Sequence, residues 1–212
     1  MIQCPSCARP QAPRLICSDC ESPLACNLDY FAALDLPRKL QINGRTLEQA
    51  YHELGRRLHP DRFANASAAV REQSLRATAL LTRAYRTMRD PVGRGRHWLE
   101  LNSRKLADSN QQVPPELAGL VFATQEELAE LRASSIPGAS EITSVRERQA
   151  EVRGLLERLD RELEGNFEAF DRLETQASDE MFGQLKRILS DTAYLTTLMR
   201  DIERALDRKA AA

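Results

Sequence analysis

The sequence predicts an all-α protein: a helical hairpin, then an elongated antiparallel three-helix bundle, with a small cysteine-rich segment in front. Three observations lead there. Apolar residues recur at steps of three and four through most of the chain. Dipeptides such as Asn43-Gly44, His59-Pro60 and Asp90-Pro91 cut that periodicity into segments. Charged residues make up 29% and aromatics 5%, a balance that suits a soluble, helix-rich chain with modest cores.

The first segment, residues 1–26, holds all five cysteines. "CPSC" and "CSDC" place Cys4, Cys7, Cys17 and Cys20 as two C-x-x-C knuckles. Each knuckle bends two thiolates round one cation, and two knuckles close a tetrahedral four-sulfur shell. A closed shell is structural rather than catalytic, and Zn2+ is the expected ion. Four cysteines also suit iron or an iron–sulfur cluster. With few apolar residues beyond Ile2, Leu15, Ile16 and Leu24, the segment needs a metal to order it. The plainer readings are two disulfides or idle thiols; a redox dithiol is disfavoured because neither knuckle follows a strand. Cys26 falls outside the four-ligand pattern and reads as a spare, packed thiol.

The formal net charge of -1 argues against a nucleic-acid binder that relies on bulk positive charge. The knuckle segment is no more basic, with Arg9 and Arg14 set against Asp19 and Glu21, so a zinc-ribbon nucleic-acid adaptor is disfavoured. Charge is unevenly distributed. Residues 27–101 carry 13 Lys and Arg against 8 Asp and Glu, a balance of +5, whereas residues 102–212 carry 15 against 21, a balance of -6. The middle should therefore prefer an acidic partner. No apolar run approaches the roughly 20 residues of a membrane span, so no membrane partner is expected. The N-terminus reads as neither a secretory signal nor a transit peptide, and free thiols suit a reducing compartment. The cytoplasm is expected, or the mitochondrial matrix if a presequence has been removed.

Residues 27–101 read as the hairpin. After Asn43-Gly44, Thr46 is a candidate N-cap with Gln49 completing a capping box. Leu47, Ala50, Tyr51, Leu54 and Leu58 make one apolar stripe; Arg45, His52 and Arg56 fall on another face. Pro60 stops this helix at His59. A second helix starts near Ser67 and buries Val70, Ala77, Leu81, Ala84, Tyr85 and Met88. Asp90 then caps a further helix with Pro91 at its first position. The two long helices should pack antiparallel with "HPDRF" at one tip. Catalysis there would need a pocket, an orienting group and usually a nucleophile, and nothing nearby supplies them. No enzyme is expected.

The polar stretch "NSRKLADSNQQVPP" reads as a linker, and residues 114–212 as the bundle. Leu117, Leu120, Val121, Leu128 and Leu131 share a face of its first helix. After the break at "SSIPGAS", Ile142, Val145, Val152, Leu156, Leu159, Leu163, Phe167 and Phe170 form the seam of the second. Beyond "TQASD", Met181, Leu185, Ile188, Thr192, Leu195, Met199, Ile202 and Leu206 form that of the third. Such seams are mainly core. Phe122 and Tyr194 lie just off them.

"DYFAALDLPRKL", "RRLHPDRF" and "LLTRAYRTMRDP" occur in the order and spacing of a J domain, and resemble in particular that of the HscB family of iron–sulfur co-chaperones. The resemblance covers most of residues 28–101. It implies that His59, Pro60 and Asp61 dock on a DnaK/HscA-class chaperone and trigger its ATP hydrolysis, the co-chaperone itself doing no bond chemistry. Asp61 would offer its carboxylate to an arginine of the partner. Arg45, His52, Arg56, Arg57 and Arg62 would steer the encounter, although Glu48 and Glu53 interrupt that basic face. The resemblance further implies that the bundle binds the iron–sulfur cluster scaffold protein through its first and third helices, here at Leu117, Ala118, Phe122 and Tyr194. Ala118 and Gly119 stand where the family has bulky contacts, which leaves a J-domain co-chaperone for a different client as the alternative.

Overall fold

The computed structural model describes all residues except 25–26, 105, 107–112, 135–137, 174–175 and 211–212. Cys26, and parts of the expected linker and of the breaks at "SSIPGAS" and "TQASD", therefore lie outside the described residues. The all-α architecture holds: seven helices, α1 (Tyr30–Ala33), α2 (Gly44–Leu58), α3 (Ala68–Arg89), α4 (Pro91–Leu101), α5 (Ala118–Ala133), α6 (Ala139–Asp171) and α7 (Asp179–Ala210), account for most of the described residues. Two strands of two residues each, β1 (Ile2–Gln3) and β2 (Pro10–Gln11), pair antiparallel. The chain divides into two compact units, Met1–Arg104 and Lys105–Ala212. No helix is long and apolar enough to cross a membrane among the described residues.

In the first unit, α2 starts earlier than the Thr46 cap would have it. Asn43 has extended backbone angles, and its side chain accepts from the Arg45 and Thr46 amides at 2.9 and 3.2 Å. Asparagine is the stronger N-cap, so it takes the position and leaves Thr46 inside the first turn. The helix ends at Leu58 before Pro60, and α3 begins after its cap Ser67. Leu58 lies against Ser74 and Thr78, and Tyr51 stacks on Tyr85 with ring centroids 4.2 Å apart, so residue numbers fall along α2 as they rise along α3. The two helices are antiparallel. Asp90 caps α4 through the Val92 and Gly93 amides. The chain turns tightly there: a Cβ on Gly93 would lie 2.9 Å from the Thr87 carbonyl oxygen.

Phe31, Leu34, Leu47, Leu58, Ala77, Leu81, Ala84 and Met88 form the core of this unit. Leu15 and Ile16, from the stretch between the knuckles, belong to the same core and are only 2% and 4% exposed. Burying each contributes about 1.5–3 kcal/mol, so the cysteine segment is packed on the hairpin rather than tethered to it.

Buried His97 of α4 fixes α1. Its Nε2 accepts from the Tyr30 amide at 3.1 Å and its ring stacks on Tyr30. That places the proton on Nδ1, which faces Glu100 at 3.9 Å. Burial holds the imidazole below its ordinary pKa, and Asp29 and Glu100 oppose that shift without reversing it.

The second unit is a three-helix bundle. Phe170 near the end of α6 meets Phe182 near the start of α7, with centroids 5.3 Å apart. Lys209 Nζ donates to the Ser134 carbonyl, so the C-terminal ends of α5 and α7 coincide. Helix α6 thus runs antiparallel to both. At 33 residues it extends about 50 Å. Arg148 joins Glu127 of α5 at 2.8 Å, and Arg187 joins Glu162 of α6 at 2.9 Å. The seam of α7 keeps Leu185, Ile188, Thr192, Leu195 and Ile202 buried, as their spacing predicts, but is wider than that one stripe. Phe182, Leu189, Leu198 and Ala205 are buried, whereas Met181, Met199 and Leu206 are only partly so. Because α7 packs against both α5 and α6, its buried face is wider than one seam and shifts toward the junction of the two.

The His97 arrangement predicts acid sensitivity. An unfolded imidazole takes a proton near pH 6.5, whereas the folded one resists it, so stability falls as pH drops below about 6.5. Thermal melts between about pH 7.5 and about pH 5 should show this loss, and His97→Gln, which keeps an acceptor for Tyr30, should flatten it. Equal slopes for the two proteins would remove His97 as the cause.

Candidate functional site

The two knuckles share one local structure. The Ala8 amide donates to the Cys4 carbonyl at 2.8 Å and the Glu21 amide to the Cys17 carbonyl at 3.2 Å. Ala8 and Glu21 each adopt a left-handed conformation, with φ of 58° and 55°. Both turns aim their thiols inward. All four Sγ atoms lie within 4.8 Å of one another. Cys4 and Cys20 are 3.6 Å apart and Cys7 and Cys17 3.7 Å. A disulfide would need about 2.05 Å, so these are free thiols. A tetrahedral shell with metal–sulfur bonds of about 2.3 Å has sulfur–sulfur edges of about 3.8 Å. The cluster therefore fits one metal ion.

The surroundings favour the thiolate at Cys17 and Cys20, whereas at Cys7 donation from the Arg9 amide is outweighed by burial and the neighbouring thiols, which push it up to about 12. Gln11 is buried; its Nε2 donates to Cys17 Sγ at 3.1 Å while its Oε1 accepts from the Ser18 amide. Burial pushes the Cys17 thiol up, but donation from the Cys20 and Asp19 amides and from Gln11 outweighs it and brings the group down to about 6.

Next to the second knuckle, residues 60–63 form a 3₁₀ turn after α2. Ser74 Oγ and Thr78 Oγ1 donate to the Leu58 carbonyl at 2.7 and 3.3 Å, occupying an acceptor that a helix end otherwise leaves unpaired. His59 Nδ1 accepts from the Asp61 amide at 3.3 Å. The Asp61 carboxylate points outward, with its side chain 90% exposed. Arg45, His52 and Arg56 lie on the exposed face of α2, His52 beside Glu48 at 3.8 Å. Arg57 and Arg62 differ: both reach Glu21 of the cysteine segment, each at 3.5 Å.

In the bundle, Tyr194 lines an open groove of about 310 Å³ with Ala193, Thr197, Leu198 and Asp201 of α7 and Gln125 of α5. Ala118 and Phe122 share the face of α5 that carries Gln125, and Phe122 is 67% exposed. Leu117 is placed elsewhere. It lines a second groove of about 230 Å³ with Leu120, Leu155, Leu159 and Leu195.

No family model matches the chain. It is 40% identical over 88 residues to "Co-chaperone protein HscB homolog" of Bordetella avium, covering 41% of this chain and 52% of that protein. To the protein of the same name from Mannheimia succiniciproducens it is 27% identical over 182 residues, 85% of this chain and 96% of the relative. In the first alignment the chain spans about half the relative's length. Among solved structures, human co-chaperone protein HscB superposes with a TM-score of 0.73 at 21% identity, over 96% of this chain and 98% of that one. HscB from Vibrio cholerae gives 0.64 at 21% identity, over 86% and 99%. The chain resembles the HscB co-chaperones in sequence and in fold.

On this HscB-like fold, sequence reasoning missed Gln11 and Glu21. A buried glutamine donating to a ligand thiol leaves no pattern in the sequence. For Glu21 a signal existed: an acidic residue directly after the last knuckle cysteine, with two arginines flanking the His-Pro-Asp turn, in a chain where the cysteine segment had to pack somewhere.

The four-sulfur geometry predicts that metal-stripped protein binds one equivalent of Co2+, with the intense visible absorption of a tetrahedral thiolate site, and that Zn2+ displaces it. Cys17→Ala should abolish that spectrum. A full spectrum in Cys17→Ala would show that the site is not the four-sulfur shell.

Proposed function

We propose that this chain is a J-domain co-chaperone of iron–sulfur cluster assembly and not itself an enzyme. Residues 27–101 act as the J domain. His59, Pro60 and Asp61 dock on a DnaK/HscA-class chaperone and raise its ATP hydrolysis, while Arg45, His52, Arg56, Arg57 and Arg62 steer the approach. Residues 114–212 carry the cluster scaffold protein to that chaperone. Cys4, Cys7, Cys17 and Cys20 hold a structural Zn2+, and the protein works in the cytoplasm or the mitochondrial matrix.

One observation carries the reading: the Asp61 carboxylate faces solvent, with His59 Nδ1 of its own turn beside it at 3.4 Å, on a turn stiffened by Pro60, whose base is held by Ser74 and Thr78. A fixed, solvent-facing carboxylate forms a charge-assisted bond to a partner arginine with little ordering cost on its own side. Names of relatives and the likeness of fold support the same class of protein.

The exposed Phe122 and the groove at Tyr194 support a client surface on α5 and α7. Exposed aromatics at a groove are where binding energy concentrates. Ala118 and Gly119 add little apolar area there, and this favours the second reading, a co-chaperone with a different client.

Wild-type protein should raise the ATPase rate of a DnaK/HscA-class chaperone several-fold. Asp61→Ala should abolish the increase without moving the melting temperature, as expected of an exposed substitution. Absence of stimulation by the wild type would end this reading. For the client, Tyr194→Ala and Phe122→Ala should each weaken binding to the cluster scaffold by about tenfold. If wild-type protein stimulates the chaperone but does not bind the scaffold at low salt, the second reading holds.

A further inference from the structure

We infer that the four-cysteine segment is a metal-dependent brace for the His59–Phe63 turn, and that Glu21 is the positioning residue through which it acts. The inference rests on the proposed function only in the use assigned to that turn.

The segment has little core of its own: Cys4, Cys17 and Leu24, with Ile2 and Cys7 packed against them. Three of these five are ligand cysteines, so the order of the segment depends on what the thiols bind. Leu15 and Ile16, between the two knuckles, are buried in the same core as Leu58, the residue that ends α2, and line a small cavity with Leu54 and Arg57 of that helix. The segment is thereby anchored near the start of the turn.

Glu21 directly follows the last cysteine ligand. Its backbone is left-handed, at φ 55°, a conformation glycine or asparagine adopts more readily than glutamate. From there its two carboxylate oxygens reach Arg57 and Arg62, at 3.5 Å each. Arg57 lies two residues before His59 and Arg62 one residue after Asp61. One carboxylate thus ties both flanks of the His-Pro-Asp tripeptide, and it stays in place only while the second knuckle keeps its shape.

Two consequences compete. The pairs order the turn, and they also neutralise two cations of a basic face. Both arginines and Glu21 are partly exposed, so each pair shifts an equilibrium by no more than about fivefold. Contacts that weak are readily exchanged for those of an acidic partner. Ordering prevails over masking, and metal loss should loosen the turn rather than unmask a tighter binder.

The amides of Arg62, Ala64 and Ala66 report on the turn, because they donate to the His59, Asp61 and Phe63 carbonyls. Hydrogen exchange of these three should be compared in Zn2+-loaded full-length protein, in protein stripped by a chelator, and in Zn2+-loaded Glu21→Gln. Stripping should speed exchange at all three and lower the melting temperature. Glu21→Gln should speed it about two- to fivefold while melting temperature and zinc content stay unchanged. Glu21→Arg should speed it as well, and Glu21→Arg with Arg62→Glu should restore slow exchange, a rescue that a merely structural role for Glu21 would not produce. In the chaperone assay, stripped protein should need at least a threefold higher concentration for half-maximal stimulation. Identical exchange in the loaded wild type, the stripped protein and Glu21→Gln would overturn the brace. A wild type with no effect on the chaperone would instead overturn the proposed function and leave the exchange result to decide the brace alone.

Discussion

The arrangement depends on how the last carbonyl of α2 is satisfied. A helix that stops at a proline leaves its final acceptors open, and open acceptors next to a core make a loose end. Here Ser74 and Thr78 of α3 both donate to Leu58, one of the most deeply buried residues of the hairpin. These bonds join the two helices at the point where the chain leaves them. Pro60 then limits what the backbone can do next. The result is an acidic side chain presented to solvent on a short, stiff turn. Losing both bonds would leave a buried carbonyl unpaired, at a cost of about 1–3 kcal/mol.

The cysteine segment extends the same constraint from the other side. Its isoleucine and leucine join the core that holds Leu58, and its glutamate reaches the arginines beside the turn. A closed four-sulfur site has no open position for substrate, so its contribution is to shape. Shape is what the proposed docking turn needs. The bundle follows separate physics: long seams, a few interhelical ion pairs, and one face of α5 and α7 that keeps an aromatic outside.

Features set by neighbours in sequence are legible without the structure. The knuckle spacing is chemistry within four residues, and Pro60 and Asp90-Pro91 terminate helices wherever they stand. The hairpin follows from its apolar stripes. Where two local signals compete, spacing alone does not rank them: Thr46 with Gln49 has the form of a cap, but Asn43 stands three residues earlier with the better side chain. Burial in α7 depends on having two partner helices, which one stripe does not reveal, so the stripe points to Met181 and Met199 where Phe182 and Leu198 are buried. Gln11 against Cys17 and Glu21 against Arg57 and Arg62 join residues that only the folded chain brings together. Leu15 and Ile16 are plainly apolar, but where they pack is a tertiary fact.

The central claim is that the turn works because α3 holds its base. It is tested most directly by replacing Ser74 with alanine and Thr78 with valine together, which leaves every residue of the turn unchanged. The stimulation of a DnaK/HscA-class chaperone by this variant should then be measured at a temperature where circular dichroism shows full helix content. The account predicts that stimulation falls sharply although Asp61 is intact. Undiminished stimulation by a folded double variant would contradict it.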